Sequence, residues 1–161
     1  MLNLLITGAT GNVGQEVNKS PRKLPMALNI QAGEKSKLIS HHTIKKLVQE
    51  SKITYTFLRP AYFMQNFTTT LRRGLVHKQI IFLPAGNAKF TLVDVRDIGD
   101  VAAVILTNTA SHINKSYELT CDQKPGFQQM ADKLSAGLAT KINYQSPGLL
   151  NFYFTKRKEK M

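Results

Sequence analysis

The chain opens on the apolar run Leu4-Leu5-Ile6 and then places three glycines at regular intervals in Thr7-Gly8-Ala9-Thr10-Gly11-Asn12-Val13-Gly14. An apolar run, a glycine-rich bend and helix-compatible residues, in that order, predict a strand, a phosphate loop and a helix start. Gly8 permits the sharp turn, Gly11 lets the backbone approach a pyrophosphate that a Cβ would push away, and Gly14 lets the helix pack closely on the strand. The N–H groups of the first helical turn, at the positive end of the helix dipole, then hold the phosphates. The expected fold is α/β, a parallel sheet with flanking helices, and the expected ligand is a dinucleotide. Its pyrophosphate cradle is Gly8, Thr10, Gly11, Asn12, Val13 and Gly14.

Further on, Ser20-Pro21 ends or kinks the first helix, because proline removes a helical hydrogen bond and clashes with the preceding turn. Met26 to Ala32 reads as a second strand, completing a β-α-β unit before Gly33. An acid about 20 residues beyond such glycines binds the adenosine ribose of NAD, whereas a base accepts the 2′-phosphate of NADP. Glu34 suits the first and Lys35 and Lys37 suit the second, while a charged surface turn accounts for all three equally. The choice between NADP and NAD therefore stays open on spacing alone. Ile44, Leu47 and Val48 then mark the buried stripe of a helix, and Ile53 to Leu58 is a strand rich in β-branched and aromatic residues.

That strand runs into Arg59-Pro60. Ligands of open parallel sheets sit beyond the carboxyl ends of strands, so the backbone of Pro60, Ala61, Tyr62 and Phe63 forms the second expected cofactor contact. Gln79 to Leu83 and Phe90 to Val93 read as extended. Asp94 has the character of a helix N-cap with Asp97 in the first turn, and Val95, Ile98, Val101, Ala102 and Ile105 form the buried face that follows. Ser116 to Thr120 is expected as a strand, Phe127 to Leu138 as a helix and Ile142 to Tyr144 as a last strand. An aromatic knot at Phe152-Tyr153-Phe154 closes a single expected domain, residues 1–154, ahead of a frayed basic tail, 155–161.

Lys and Arg number 22 against 10 acids, a formal charge of +12 over 161 residues, which raises nucleic acid as a partner. The bases lie in small scattered clusters without interleaved aromatics, so solvated faces account for them and nucleic-acid binding is not expected. Cys121 is the only cysteine, which excludes an intramolecular disulfide and a cysteine-based metal cluster; no metal site is expected, and a reducing, cytoplasmic setting is. The apolar opening is too short for a membrane span or a signal peptide, so no membrane is expected either.

Five stretches occur together in a fixed order: Thr7 to Gly14, His41-His42, Leu58-Arg59-Pro60-Ala61-Tyr62-Phe63-Met64-Gln65-Asn66, Leu83-Pro84-Ala85-Gly86 and Phe90-Thr91-Leu92-Val93-Asp94-Val95-Arg96-Asp97-Ile98. In that combination the chain resembles the NmrA-like branch of the atypical short-chain dehydrogenase/reductases. The resemblance implies a reduced Rossmann-like fold and NAD(P)(H) binding, with NADP favoured. It also implies one of two activities: an oxidoreductase passing hydride to a quinone-like or other conjugated small molecule, or a non-catalytic dinucleotide sensor working through a protein partner. A third reading is a shortened remnant that binds the cofactor weakly.

Two departures from the family pattern bear on these readings. The reductases of this group carry Tyr-x-x-x-Lys on the helix before the Arg-Pro strand, and here Lys37 and His41 stand at those positions. A tyrosine lowered by a nearby ammonium is the usual proton donor, so His41, His42 and Tyr62 remain as candidate acids, with a polar helix start explaining the histidines as well. The second departure is length. Only a few residues separate Gly33 from His41, where the family places several strands and helices, and each β-α-β unit takes about 30 residues. About two such units are absent, and in the order 3-2-1-4-5-6 strands four and five are central. The sheet is therefore expected to close by pairing Leu4–Ile6 directly with Ile53–Leu58.

Overall fold

The computed structural model describes residues 5–6, 27–30 and 40–159, with side chains from 45 to 158. The described chain divides into two compact units, one holding the residues up to Phe63 together with Leu92–Cys121, the other Met64–Thr91 together with Asp122 onward.

The first unit is built on a parallel four-stranded sheet. Its strands are β1 (Leu5–Ile6), β2 (Ala27–Ile30), β3 (Tyr55–Pro60) and a later strand over Lys115–Leu119, in the spatial order in which they occur along the chain. Helix α1 (Ser40–Glu50) lies between β2 and β3 in the chain. Thr56, Phe57 and Leu58 are successive buried residues, the pattern of a parallel strand covered on both faces. After Pro60 the chain continues through β4 (Tyr62–Phe63), which leaves this sheet and pairs in parallel with Leu92–Val93 as Tyr62 to Leu92 and Phe63 to Val93.

The expected direct pairing of β1 with β3 does not occur. Leu5 and Ile6 pair with Ala27 and Leu28, and Ala27 to Ile30 pair in turn with Tyr55 to Leu58, so β2 lies between them. The reason is local. Two parallel strands joined by one helical crossover settle side by side, which gives β2 and β3 to each other and leaves the far edge of β2 for β1.

Strand β6 (Leu92–Val93) leads into helix α3 (Val95–Thr107). Asp94 caps it as the sequence predicts: it is extended at φ −80°, ψ 138°, and its carboxylate accepts the Arg96 N–H at 2.8 Å. The Arg96 guanidinium adds two further bonds to the same carboxylate, at 3.0 and 2.7 Å. Val95, Ile98, Ala102 and Ile105 recur at helical spacing and are buried with Leu58, Val93 and Leu106 in one cluster. A 3-10 turn (Thr109–His112) then leads into β7 (Lys115–Leu119), whose Thr56-to-Lys115 through Pro60-to-Leu119 register completes the sheet.

The second unit contains a 3-10 turn (Met64–Phe67), helix α2 (Arg72–Lys78), strand β5 (Ile80–Phe82), helix α4 (Phe127–Leu138), strand β8 (Asn143–Gln145) and helix α5 (Leu149–Glu159). Strands β5 and β8 pair in parallel, Ile80 with Asn143 through Phe82 with Gln145. Gln79 ends α2 in the left-handed conformation, φ 55°, and donates its N–H to the Gly74 carbonyl. Ser135 ties α4 to the approach to β8: its hydroxyl donates to the Ala131 carbonyl at 2.7 Å and accepts the Ile142 N–H at 2.8 Å. Phe90, Phe127 and Tyr144 stack in series with centroids 4.3 and 5.7 Å apart, and the Tyr144 hydroxyl donates to the Gly86 carbonyl at 3.0 Å.

The last helix includes residues that the sequence reading set apart as an aromatic knot and a frayed tail. Helix α5 runs unbroken from Leu149 through the basic residues Lys156, Arg157 and Lys158 to Glu159. Phe152 turns inward against Phe82, ring centroids 5.9 Å apart, and this contact fixes which face of α5 points outward.

Candidate functional site

In a parallel sheet the carboxyl ends of the strands all lie along one edge, and ligands are held by the loops that leave it. Here β1 ends at Ile6, directly before the glycine-rich stretch, and β3 ends at Pro60, directly before Ala61-Tyr62-Phe63. Gly8, Thr10, Gly11, Asn12, Val13 and Gly14 lie outside the described residues, as do Glu34, Lys35 and Lys37. His41 and His42 are in the first turn of α1, and the description of their side chains stops short of them.

The segment after β3 is described in full. Pro60 is buried and has no N–H to offer. The Ala61 N–H donates to the Leu119 carbonyl at 2.9 Å, so this amide extends the sheet. Ala61 and Phe63 both rest against the cluster of Leu58, Ile98 and Ala102. Tyr62 is half-buried in β4. Of this set, then, the core takes part of Ala61 and Phe63, and the Tyr62 phenol is the polar side chain among them.

Sheet order bears on where a cofactor can lie. In doubly wound sheets the crevice opens where the strand order reverses. Among the described strands, β1-β2-β3-β7 contains no reversal, so no gap between two of them is singled out and β1 stands at the end of the row. The chain positions that follow β1 and those that follow Pro60 thus succeed strands separated by β2.

A concave feature that sequence reasoning missed lies on the same unit. Asp100, Val101, Val104 and Ile105 of α3, with His112, Tyr117, Glu118 and Leu119, line a cavity of about 360 Å³. Of these, His112 is tied to the sheet, its carbonyl accepting the Thr56 hydroxyl at 2.6 Å, and the His112 Nδ1 and the Tyr117 hydroxyl are hydrogen-bonded at 2.8 Å. The one signal in the sequence was Val104, an apolar residue beside the buried stripe of α3 and left 62 % exposed. Among the described residues no three His, Cys, Asp or Glu side chains gather as metal ligands. No helix among them is long and apolar enough to cross a membrane.

Comparison with known proteins adds to this geometry. The sequence model of the NmrA-like family matches residues 24–148. The chain is 34% identical over 97 residues to the NAD(P)H azoreductase of Xenophilus azovorans, a match that covers 60% of this chain and 33% of that protein. It is 28% identical over 106 residues to quinone oxidoreductase 2 of Escherichia coli, covering 66% of this chain and 36% of the relative. The chain thus spans about a third of the length of these curated relatives. Among solved structures it is similar to the NADPH-dependent quinone oxidoreductase of Escherichia coli complexed with NADPH, with a TM-score of 0.76 at 17% identity over 98% of this chain and 83% of the other. It is also similar to the Citrobacter sp. triphenylmethane reductase complexed with NADP(H), TM-score 0.63 at 23% identity over 95% and 59% of the two chains. At these identities the structural likenesses establish the fold, which is α/β and Rossmann-like.

Proposed function

This chain belongs to the NmrA-like family, and we propose that it is an NAD(P)H-binding oxidoreductase acting on a quinone-like or other conjugated small molecule, with NADP as the favoured cofactor. The observation that carries the reading is the position of Thr7 to Gly14: a three-glycine stretch that begins where β1, a strand of a parallel sheet, ends. The backbone amides of Gly8, Thr10, Gly11, Asn12, Val13 and Gly14 hold the diphosphate, and the segment Pro60 to Phe63 borders the nicotinamide side. Bound NAD(P)H supplies the hydride. The names of the azoreductase and the quinone oxidoreductase that the chain resembles support an acceptor of this class.

A conjugated acceptor also fits the residues that are missing. Without the Tyr-x-x-x-Lys pair, protonation falls to water, to the Tyr62 phenol or to His41 and His42 at the start of α1. A quinone-like product, whose oxygens are readily protonated by solvent, depends least on a dedicated donor. The same absence favours a second reading, a dinucleotide-binding regulator without turnover that acts through a protein partner. The single cysteine supports a reducing, cytoplasmic setting for either.

Fluorescence titration with NADPH and NADH, followed by quinone-dependent oxidation of the bound nucleotide, separates the readings. Saturable binding with turnover is the expected result, and binding without turnover assigns the regulator. Replacing Gly11 by leucine puts a side chain where the diphosphate approaches, so it abolishes binding while leaving the thermal unfolding of the apoprotein in place. Unchanged nucleotide affinity in Gly11→Leu removes the loop from the site, and no binding by the unmodified chain leaves a remnant.

A further inference from the structure

The cavity bordered by α3, the turn at Thr109–His112 and β7 uses none of the residues given to the nucleotide, and it lies wholly within the first unit. Its volume, about 360 Å³, falls at the lower end of the roughly 300–1,000 Å³ of small-molecule sites. On α3 the lining residues Asp100 and Val104 are one turn apart, as are Val101 and Ile105. The helix thus contributes a single strip, apolar with a carboxylate at its amino-terminal end. On β7, Tyr117 and Leu119 pack against the same buried cluster as α3. Successive strand residues alternate faces, so Glu118 between them turns to the other side of the sheet, where Arg59 is its register partner. Asp100 is therefore the carboxylate on the α3 side of the cavity. It makes no hydrogen bond or ion pair among the described residues, and no Lys or Arg lines the cavity. The bases of these elements lie outside it: the Arg96 guanidinium bonds Asp94, and Lys115 is exposed.

We propose that this cavity binds a small organic cation, a protonated amine carried on an apolar body of one or two rings. The ammonium meets the Asp100 carboxylate, and the body lies on Val101, Val104 and Ile105. Charge complementarity selects this class. In a chain of 22 bases and 10 acids, an apolar cavity lined by an unpaired carboxylate and by no Lys or Arg is a local reversal of sign. Asp97, one turn before Asp100, adds a second negative charge to that end of the helix. Tyr117 brings an aromatic ring, which attracts cations, and its bond and edge contact to His112, with centroids 5.6 Å apart, hold it in place. A second copy of the chain is the competing occupant, and the formal charge of +12 that each copy carries opposes that association. The proposal does not rest on the nucleotide site.

The chain has no tryptophan, so indole fluorescence reports on an indole ligand alone. The full chain is titrated against tryptamine, uncharged 3-ethylindole and anionic indole-3-propionate, three probes with one body and different charge. An exposed ion pair contributes up to about fivefold in affinity, so tryptamine is expected to bind up to about fivefold more tightly than 3-ethylindole, and indole-3-propionate more weakly than either. Asp100→Lys is expected to invert the order of the two charged probes and to leave 3-ethylindole unchanged. Val104→Ser weakens all three. Both positions are exposed, so an unchanged unfolding temperature serves as the control on folding. Saturating NADPH is expected to leave the tryptamine affinity as it was. No saturable binding of tryptamine, equal affinity for 3-ethylindole, an order of probes unchanged in Asp100→Lys, affinities unchanged in Val104→Ser, or displacement of tryptamine by NADPH overturns the proposal. Sedimentation velocity supplies a further arm: concentration-dependent dimerisation that Val104→Ser removes would give the cavity to a second copy and overturn the assignment to a small cation.

Discussion

Thr56 is the buried polar side chain of the described core, fully removed from solvent in the middle of β3. Its hydroxyl reaches out of the strand to the His112 carbonyl at 2.6 Å, joining the centre of the sheet to the turn that precedes β7. Valine is nearly the same shape and prefers strands at least as well, so propensity predicts no loss from Thr56→Val. Hydrogen bonding predicts otherwise, because a buried acceptor left short of a partner costs about 1–3 kcal/mol. Urea denaturation of Thr56→Val is therefore expected to show a loss in that range with an unchanged slope, and a neutral result would mean that the His112 carbonyl finds water. At this scale much was legible in advance. Asp94 is readable as a cap because capping depends on neighbours two or three positions away, and its bond to the Arg96 N–H confirms it. The partnership of Thr56 with His112 was not readable, since nothing in either residue's local sequence specifies a partner so distant in the chain.

Among elements, the join between α2 and β5 offers a test in which two rules oppose each other. Alanine in place of a glycine within a helix ordinarily stabilises by about 1 kcal/mol. At Gly74, however, an added Cβ would stand 2.8 Å from the Ile80 carbonyl oxygen, closer than real contacts allow, and Ile80 is held by its pairing with Asn143. Backbone cannot swing aside as a side chain can, so overpacking of about 1–3 kcal/mol wins. Gly74→Ala is expected to lower the unfolding temperature, and a rise would show that the short helix shifts on the strand at little cost. The elements divide in the same way between local and distant causes. Phe127 to Leu138 matches the expected helix to the residue, and Lys115–Leu119 and Asn143–Gln145 fall within one residue of the expected strands. Apolar spacing and turn residues carry that information locally. Sheet order is set by long-range pairing, which is why β2 between β1 and β3 was not foreseen. Helix α5 was missed because Phe152-Tyr153-Phe154 followed by bases shows no helical stripe: three successive aromatics point in three directions, and one of them, Phe152, is anchored inward by Phe82.

At the scale of the whole molecule, cofactor binding must appear as stability. A ligand that binds only the folded chain stabilises it by about 2.7 kcal/mol at a hundred times its dissociation constant. Thermal unfolding with NADPH is thus expected to move upward and to keep rising with nucleotide concentration, with a smaller shift for NADH if NADP is the favoured cofactor. No shift with either nucleotide at millimolar concentration would contradict the proposed function. The proposed ligand class rests on the glycine stretch near the start of the chain, and the family resemblance made the fold readable. Pro60, Ala61 and Phe63 show what sequence alone leaves out, because the same residues that border the expected site also serve the sheet and the core.

The row β1-β2-β3-β7 also constrains how the chain is made. β3 takes one neighbour from residues already synthesised and the other from Lys115–Leu119, which leaves the ribosome much later. Throughout that interval Phe57 and Leu58 belong to a strand with one edge unpaired, the condition under which nascent chains associate with one another. Translation halted before Lys115 would leave an unfinished sheet for chaperones to hold, whereas release past Leu119 supplies the missing edge.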